Sequence, residues 1–176
     1  MPSTSLLGDA SLVGNLLDSL VESILQKHPS LDKIAMVGLP KRGYPIALRL
    51  SKLIQQKTGV AIPVGQMDIT FHRDDLDQHS PLPQLTQIPF DATHRIILLV
   101  DDVLFTGRTV RAALSALTDF GRPDKIELIS LIDRGHREVP IQPDYVGKRM
   151  TTDFKDRVSV HLQEIDGEDS ILHQKS

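Results

Sequence analysis

Between Ile96 and Thr109 the chain reads I-I-L-L-V-D-D-V-L-F-T-G-R-T, and this segment limits the possible folds more than any other. Ile96 to Val100 is a short, unbroken apolar run rich in branched side chains, the pattern of a central parallel strand buried on both faces. Two carboxylates, Asp101 and Asp102, stand at its end. From Arg108 onward Val110, Ala113, Leu114 and Leu117 recur at helical spacing, and Gly121 and Pro123 supply stop signals. The turn Thr106-Gly107-Arg108-Thr109 therefore opens a helix, where unpaired backbone N–H groups and the helix dipole favour an anion. Gly107 allows close backbone approach and the two threonine hydroxyls add donors. Asp101 and Asp102 are placed to accept from sugar hydroxyls or to hold Mg²⁺ through water. Neighbouring side chains on a strand point to opposite faces, so one of the two carboxylates can be purely structural. The combination suits a phosphorylated sugar.

The flanking segments extend the same architecture. Leu12, Leu16, Leu20 and Ile24, with Val13, Leu17, Val21 and Leu25 beside them, predict an amphipathic helix from Asp9 to about His28-Pro29. Lys33–Gly38 reads as a short buried strand. A helix using Ile46, Ala47, Leu50, Leu53 and Ile54 follows the loop 39–45. Ala61–Thr70 and Glu127–Asp133 are further candidate strands, and Val158–Ile165 alternates like a strand nearer an edge. Residues 72–91 are polar, carry Pro81, Pro83 and Pro89, and show no periodicity, which predicts a flexible lid loop. Residues 1–8 and 167–176 read as loose tails. Alternation of strands and helices predicts one α/β domain over residues 1–176, a mainly parallel central sheet flanked by helices. Ligands in such sheets gather at the carboxyl ends of the strands.

At 176 residues the chain has the size of one domain. A net charge of −3 does not mark a general nucleic-acid binder, although a local basic patch remains compatible with it. With no cysteine, disulfides and thiolate chemistry are excluded. The seven histidines are scattered without ligand spacing, which favours Mg²⁺ held by carboxylate, water and phosphate over zinc. No basic-then-apolar leader and no long apolar run is present, so a cytoplasmic protein without membrane association is expected.

Three further loops carry charge at the expected sheet edge. Lys41-Arg42-Gly43 follows the first predicted strand; two cations before a glycine suit a diphosphate, while a solvated basic turn is the plainer reading. In Asp68–Leu76, Arg73 is placed to close over a diphosphate, with Asp74 and Asp75 steering Mg²⁺ or stabilising the loop; a self-paired loop stem is the alternative. In D-R-G-H-R-E (133–138), Asp133 can reach Mg²⁺ or pyrophosphate and Arg134 can frame a planar base; a salt-linked turn is the alternative.

The strand–D-D–V-x-x-T-G-R-T–helix string, Asp101 through Thr109 including Val103, Leu104 and Phe105, resembles the signature of type I phosphoribosyltransferases. These enzymes bind 5-phosphoribosyl-1-pyrophosphate (PRPP). With V-G-L-P-K-R-G-Y-P-I-A-L-R-L (37–50), D-I-T-F-H-R-D-D-L (68–76), F-G-R-P (120–123) and D-R-G-H-R-E-V-P-I-Q-P-D-Y-V-G-K (133–148), the chain is similar to one branch. That branch comprises the bifunctional pyrimidine-operon attenuators with uracil phosphoribosyltransferase activity, and the similarity runs over residues 9–166. The resemblance implies the type I phosphoribosyltransferase fold and conversion of uracil and PRPP to UMP and pyrophosphate, with Mg²⁺. It places the acidic pair on the ribose and metal, the turn 106–109 on the 5-phosphate, Lys41, Arg42 and Arg73 at the diphosphate, and Asp133 and Arg134 at the base. It also implies a UMP- or UTP-sensitive affinity for a leader mRNA, with His136, Arg137, Lys148 and Arg149 as basic contacts pooled in a homodimer or higher homo-oligomer.

The chain departs from the branch at Lys41, where a threonine is usual, and at Gln142, where an arginine is common. Val13, Gly14, Ser19 and Val21 replace the basic residues of the first helix. Two alternatives stand beside the enzyme: an RNA-binding nucleotide sensor with weak or no catalysis, and a phosphoribosyltransferase for another base.

Overall fold

The computed structural model describes residues 3–69 and 86–176. Arg73 and the first part of the expected lid, 72–85, lie outside the described residues, as do Asp74 and Asp75.

A strand β1 (Thr4–Gly8) leads to helix α1 (Ala10–Lys27), whose N-cap Asp9 accepts the Leu12 N–H. Strand β2 (Ile34–Gly38), helix α2 (Gly43–Thr58) and strand β3 (Val64–Gln66) follow. Then come β4 (Ile96–Leu104), α3 (Arg108–Leu117), β5 (Lys125–Asp133) and β6 (Tyr145–Arg149). The chain ends with β7 (Arg157–His161), a single turn α4 (Gln163–Asp166) and β8 (Ser170–Gln174).

Five strands form a parallel sheet in the order β3-β2-β4-β5-β6. Alternation along each strand splits the core into two layers. Met36, Leu98 and Val100 face α1 and α2, while Val37, Ile97 and Leu99 face α3. Helix α2 begins at Gly43, two residues before Pro45, because proline is tolerated in a first turn whose N–H groups have no intrahelical partner. The buried Glu127 carboxylate fastens α1 to β5 and β6. Lys125 and Lys27 pair with it at 2.6 and 3.0 Å, and Tyr145 and His28 approach at 2.6 and 2.8 Å. Burial alone would raise its pKa, but these partners together hold it well below the usual carboxylate range.

Both termini depart from expectation. The described parts of the expected loose tails 1–8 and 167–176 are ordered: β1 and β7 pair antiparallel on either side of β8, forming a second, three-stranded sheet. Fully buried Ile171 and Val160 join this sheet to the core beneath α1, so its apolar face supplies the energy that holds the chain ends. The strand expected over 158–165 belongs to this sheet and stops at His161. The strand expected over 61–70 is only three residues long. Strand β6 escapes periodicity because the run Y-V-G-K-R has a single buried residue. At the far end of the expected lid, 86–91 is anchored: Gln87 bridges to Gln66, and Ile88 and Phe90 pack against the α3-side core.

Gly43 is sterically required. A Cβ on Gly43 would collide with the carbonyl oxygen of Val100, because the loop after β2 folds onto β4 and Leu39 N–H donates to that same oxygen at 2.9 Å. Gly43→Ala is expected to cost roughly 2–3 kcal/mol through displacement of this loop, read as a lower urea midpoint with an unchanged m-value.

Candidate functional site

Strand β2 ends at Gly38, opposite Val100, while β4 continues four residues further with only β5 beside it. The chain leaves β2 toward β3 on one side and returns as β4 on the other, so the carboxyl ends of β2 and β4 flank a topological switch point. Asp101 and Asp102 occupy the overhang. They belong to the strand itself, as expected, and the strand runs on to Leu104 before the turn begins.

Asp101 is 6 % exposed. Burial and the neighbouring Asp102 charge push its pKa well above the ordinary carboxylate value. Burial also raises Asp102, opposed by hydrogen bonds from Asp101 and the Val103 N–H and by the positive charge of Arg42. The Asp102 N–H donates to Asp101 Oδ1 at 3.0 Å. Among the described residues no group of three histidine, aspartate or glutamate side chains converges as a metal cage. Two crowded carboxylates without a third ligand fit a hard cation that takes its remaining oxygens from water and phosphate.

Beyond Leu104 the chain turns through Phe105 and Thr106 to Gly107, the N-cap of α3, at φ 87°. The left-handed backbone demands glycine there, and a Cβ at this position would also lie only 2.8 Å from a Val139 methyl. An open cavity of about 420 Å³ lies over the turn, lined by Asp101, Val103–Thr109, Glu138 and Phe154.

The segment after β5 lashes this turn in place. Arg134 N–H donates to Leu104 O and Glu138 N–H to Thr106 O. Arg137 donates to the carbonyls of Phe105 (2.8 Å) and Ile141 (3.0 Å) and to Asp133 Oδ1 (2.7 Å). Arg108 pairs with Glu138 at 2.6 Å.

Several expected ligand contacts are thereby employed inside the protein. Asp133 is held between Arg137 and Arg149, the latter at 2.8 Å. Arg134 is buried, and its guanidinium donates to Thr152 Oγ1 and to the carbonyls of Asp153, Phe154 and Asp156. It lies 4.1 Å from the Phe105 ring centroid. Its side chain shapes the wall at the expected base pocket by holding segment 152–156, rather than by extending into it. His136 packs edge-on against Phe105 and Phe154 and reaches the Thr152 carbonyl at 2.7 Å. Of the four residues expected to form one basic RNA patch, His136 and Arg137 therefore turn inward, whereas Lys148 and Arg149 are exposed on β6.

On the other side of the crevice, Lys41 is exposed with a left-handed φ of 65°. Backbone strain of this kind costs on the order of 1 kcal/mol and concentrates at functional loops. Arg42 forms a two-pronged pair with Asp166. A cavity of about 350 Å³ beside this loop is lined by Lys41, Tyr44, Gln66, Asp68, Glu164 and Ile165 among others. Asp166 and Phe154 were not among the sequence candidates. Both lie in short irregular stretches where neither periodicity nor spacing distinguishes them.

The chain matches the family of the phosphoribosyl transferase domain over residues 7–165, and it belongs to that family. Solved structures agree on the fold: hypoxanthine phosphoribosyl transferase of Trypanosoma cruzi superposes with a TM-score of 0.74 at 14 % identity, covering 97 % of this chain and 91 % of that one. The purine phosphoribosyltransferase of Pyrococcus horikoshii gives 0.60 at 21 % identity, covering 81 % and 85 %. Within the family, the chain belongs with the bifunctional PyrR proteins. It is 49 % identical to Bifunctional protein PyrR of Elusimicrobium minutum, over 94 % of each chain, and 47 % identical to that of a Picosynechococcus, over 86 % of each.

The buried acidic pair gives a test independent of catalysis. A carboxylate whose folded pKa is raised binds its proton more tightly in the native state, so its contribution to stability falls as pH climbs above the unfolded value of about 4. Asp101→Asn removes that cost. It is expected to raise the melting temperature of the ligand-free protein at pH 7.5, with a smaller gain at pH 5.

Proposed function

We propose that this protein is a uracil phosphoribosyltransferase, transferring the 5-phosphoribosyl group of PRPP to uracil to give UMP and pyrophosphate. The observation that carries the reading is the Asp101–Asp102 pair at the end of β4, directly before a glycine-capped helix turn that frames an open cavity. In this reading the N–H groups and hydroxyls of Thr106–Thr109 hold the 5-phosphate. The acidic pair accepts from the ribose hydroxyls, which relieves the crowding of two adjacent like charges, one of them buried. Asp101 and Asp102 are the residues that would hold Mg²⁺ through water, and the cation would supply charge neutralisation for the diphosphate.

The reaction breaks the bond from C1 of the ribose to the pyrophosphate oxygen and forms one from C1 to N1 of uracil, which loses its proton. The transition state has oxocarbenium character, as in glycoside chemistry. No covalent nucleophile is required of the protein; Lys41 and Arg42 face the charge that develops on the departing pyrophosphate. Arg73 and the rest of the 72–85 segment are assigned a place over the diphosphate on sequence grounds. Asp133 acts on this site indirectly, through Arg137 and the turn.

A second activity is proposed from the bifunctional relatives: uridine-nucleotide-sensitive binding of a pyrimidine leader mRNA by a homodimer or higher oligomer. Lys148 on β6 is an exposed cation for it, beside Arg149, which is exposed but pairs with Asp133. Such binding would be dominated by phosphate contacts and would weaken steeply with salt.

Purified protein supplied with PRPP, Mg²⁺ and each base in turn should release pyrophosphate with uracil and not with hypoxanthine, guanine or orotate. Asp101→Asn combined with Asp102→Asn should lower kcat/KM by at least ~10²-fold. Turnover with a purine alone would reject the assignment, and retained UMP binding without any turnover would make the protein a nucleotide sensor.

A further inference from the structure

Arg42 is held from outside its own loop. Its Nε and Nη2 donate to Asp166 Oδ2 and Oδ1 at 3.1 and 2.6 Å, a parallel fork on one carboxylate. This pairing raises the Arg42 pKa further, and the Asp102 charge acts in the same direction, so the guanidinium lies within electrostatic reach of the acidic pair. Both members are partly shielded, at 22 % and 17 % side-chain exposure, which limits screening of the pair by water and salt.

The carboxylate is itself fixed. Asp166 Oδ2 accepts the Leu162 N–H at 2.9 Å, and the Asp166 N–H donates to the Leu162 carbonyl at 2.7 Å. Leu162 is fully buried, so the one-turn helix carrying Asp166 rides on the core. The same turn is tied to α2 independently of Arg42. Arg49 donates to Glu164 at 2.6 and 2.8 Å and to Asp169 at 2.7 and 2.8 Å. Docking of α4 on α2 therefore does not depend on Asp166, which leaves the Arg42–Asp166 fork available for another purpose.

A guanidinium has five donors on two usable edges. Asp166 occupies the Nε–Nη2 edge. The Nη1 donors have no partner among the described residues, and Arg42 stands at the N-cap of α2, beside the exposed Lys41.

We propose that Asp166 is the positioning residue of the diphosphate subsite: by gripping one edge of Arg42 it presents the other to the diphosphate of PRPP. This rests on the reading of the site as a PRPP site. The long arginine side chain is ordered when the protein folds, so that loss of rotamer freedom no longer opposes binding. Lys41 then supplies a mobile charge and Arg42 a directed one.

The test is a double-mutant cycle on full-length protein, read by steady-state kinetics and by titration of PRPP in Mg²⁺ buffer. Asp166→Asn is expected to raise KM for PRPP about tenfold, the scale of a misplaced positioning group, with a fall in kcat and with KM for uracil changed less than about threefold. In an Arg42→Gln background the same substitution should have no further effect. Tighter PRPP binding by Asp166→Asn would show that Asp166 competes with the ligand, and would overturn the proposal. So would an equal effect in both backgrounds, which would assign it to the Leu162 contact, or no effect at all. If Asp166→Asn does not fold, Arg42→Lys keeps the charge but cannot form the fork, and should raise KM for PRPP similarly; an unchanged KM would overturn the proposal. Unaltered PRPP affinity in Arg42→Gln would instead reject Arg42 as a diphosphate ligand, and the proposal with it.

Discussion

Two carboxylates forced together in a buried overhang are the constraint on which the site depends. Asp101 and Asp102 stand where β4 has outrun β2, the first buried and the second partly so. Like charges in such a place weaken the folded state unless something positive or hydrogen-bond-donating meets them. The fold tolerates this because the apolar layers on both faces of the sheet hold the strand in register whatever the electrostatic cost. The unfavourable pair becomes an attractive force only toward a ligand rich in donors or accompanied by a cation, which links binding to relief of strain already present.

Around that pair, arginines act mainly as framework. Arg134 and Arg137 use backbone carbonyls as acceptors and hold irregular segments at fixed distances from the α3 turn. Arg49 does the same for α4 through carboxylates. A planar guanidinium bridges several acceptors at once, so each one fixes a loop that has no ladder of its own. This explains how a site built from loops retains its shape: its rigidity comes from side-chain cross-links radiating from the ends of β4 and β5.

The strands and helices with strong periodicity were legible in the sequence. Helices α1 and α3, the buried run into Asp101, and the glycine-capped turn all declare themselves through apolar spacing and stop signals. The terminal strands did not, because Leu6, Leu7 and Ile171 become a pattern only when the two ends of the chain pair, and spacing along the chain carries no trace of that. For the same reason the charge-rich segment 133–138 was legible as functional but not in its division of labour. Sequence shows that Arg134, His136 and Arg137 are cations near a sheet edge; only packing shows that all three are turned inward. Asp166 is the extreme case, an aspartate in a short acidic turn whose meaning depends wholly on Arg42, more than a hundred residues away.

The antiparallel pairing of β1 with β8 also sets an order of assembly. Ser5 donates to His173 across a separation of 168 residues, whereas the β4 turn and α3 close over neighbours. Long-range pairing carries a larger loop-closure cost and forms late. The turn between β4 and α3 can therefore be in place before the small sheet, and the α4 turn it carries, has docked. During folding, the turn under the cavity comes first and the carboxylate that pairs with Arg42 comes last.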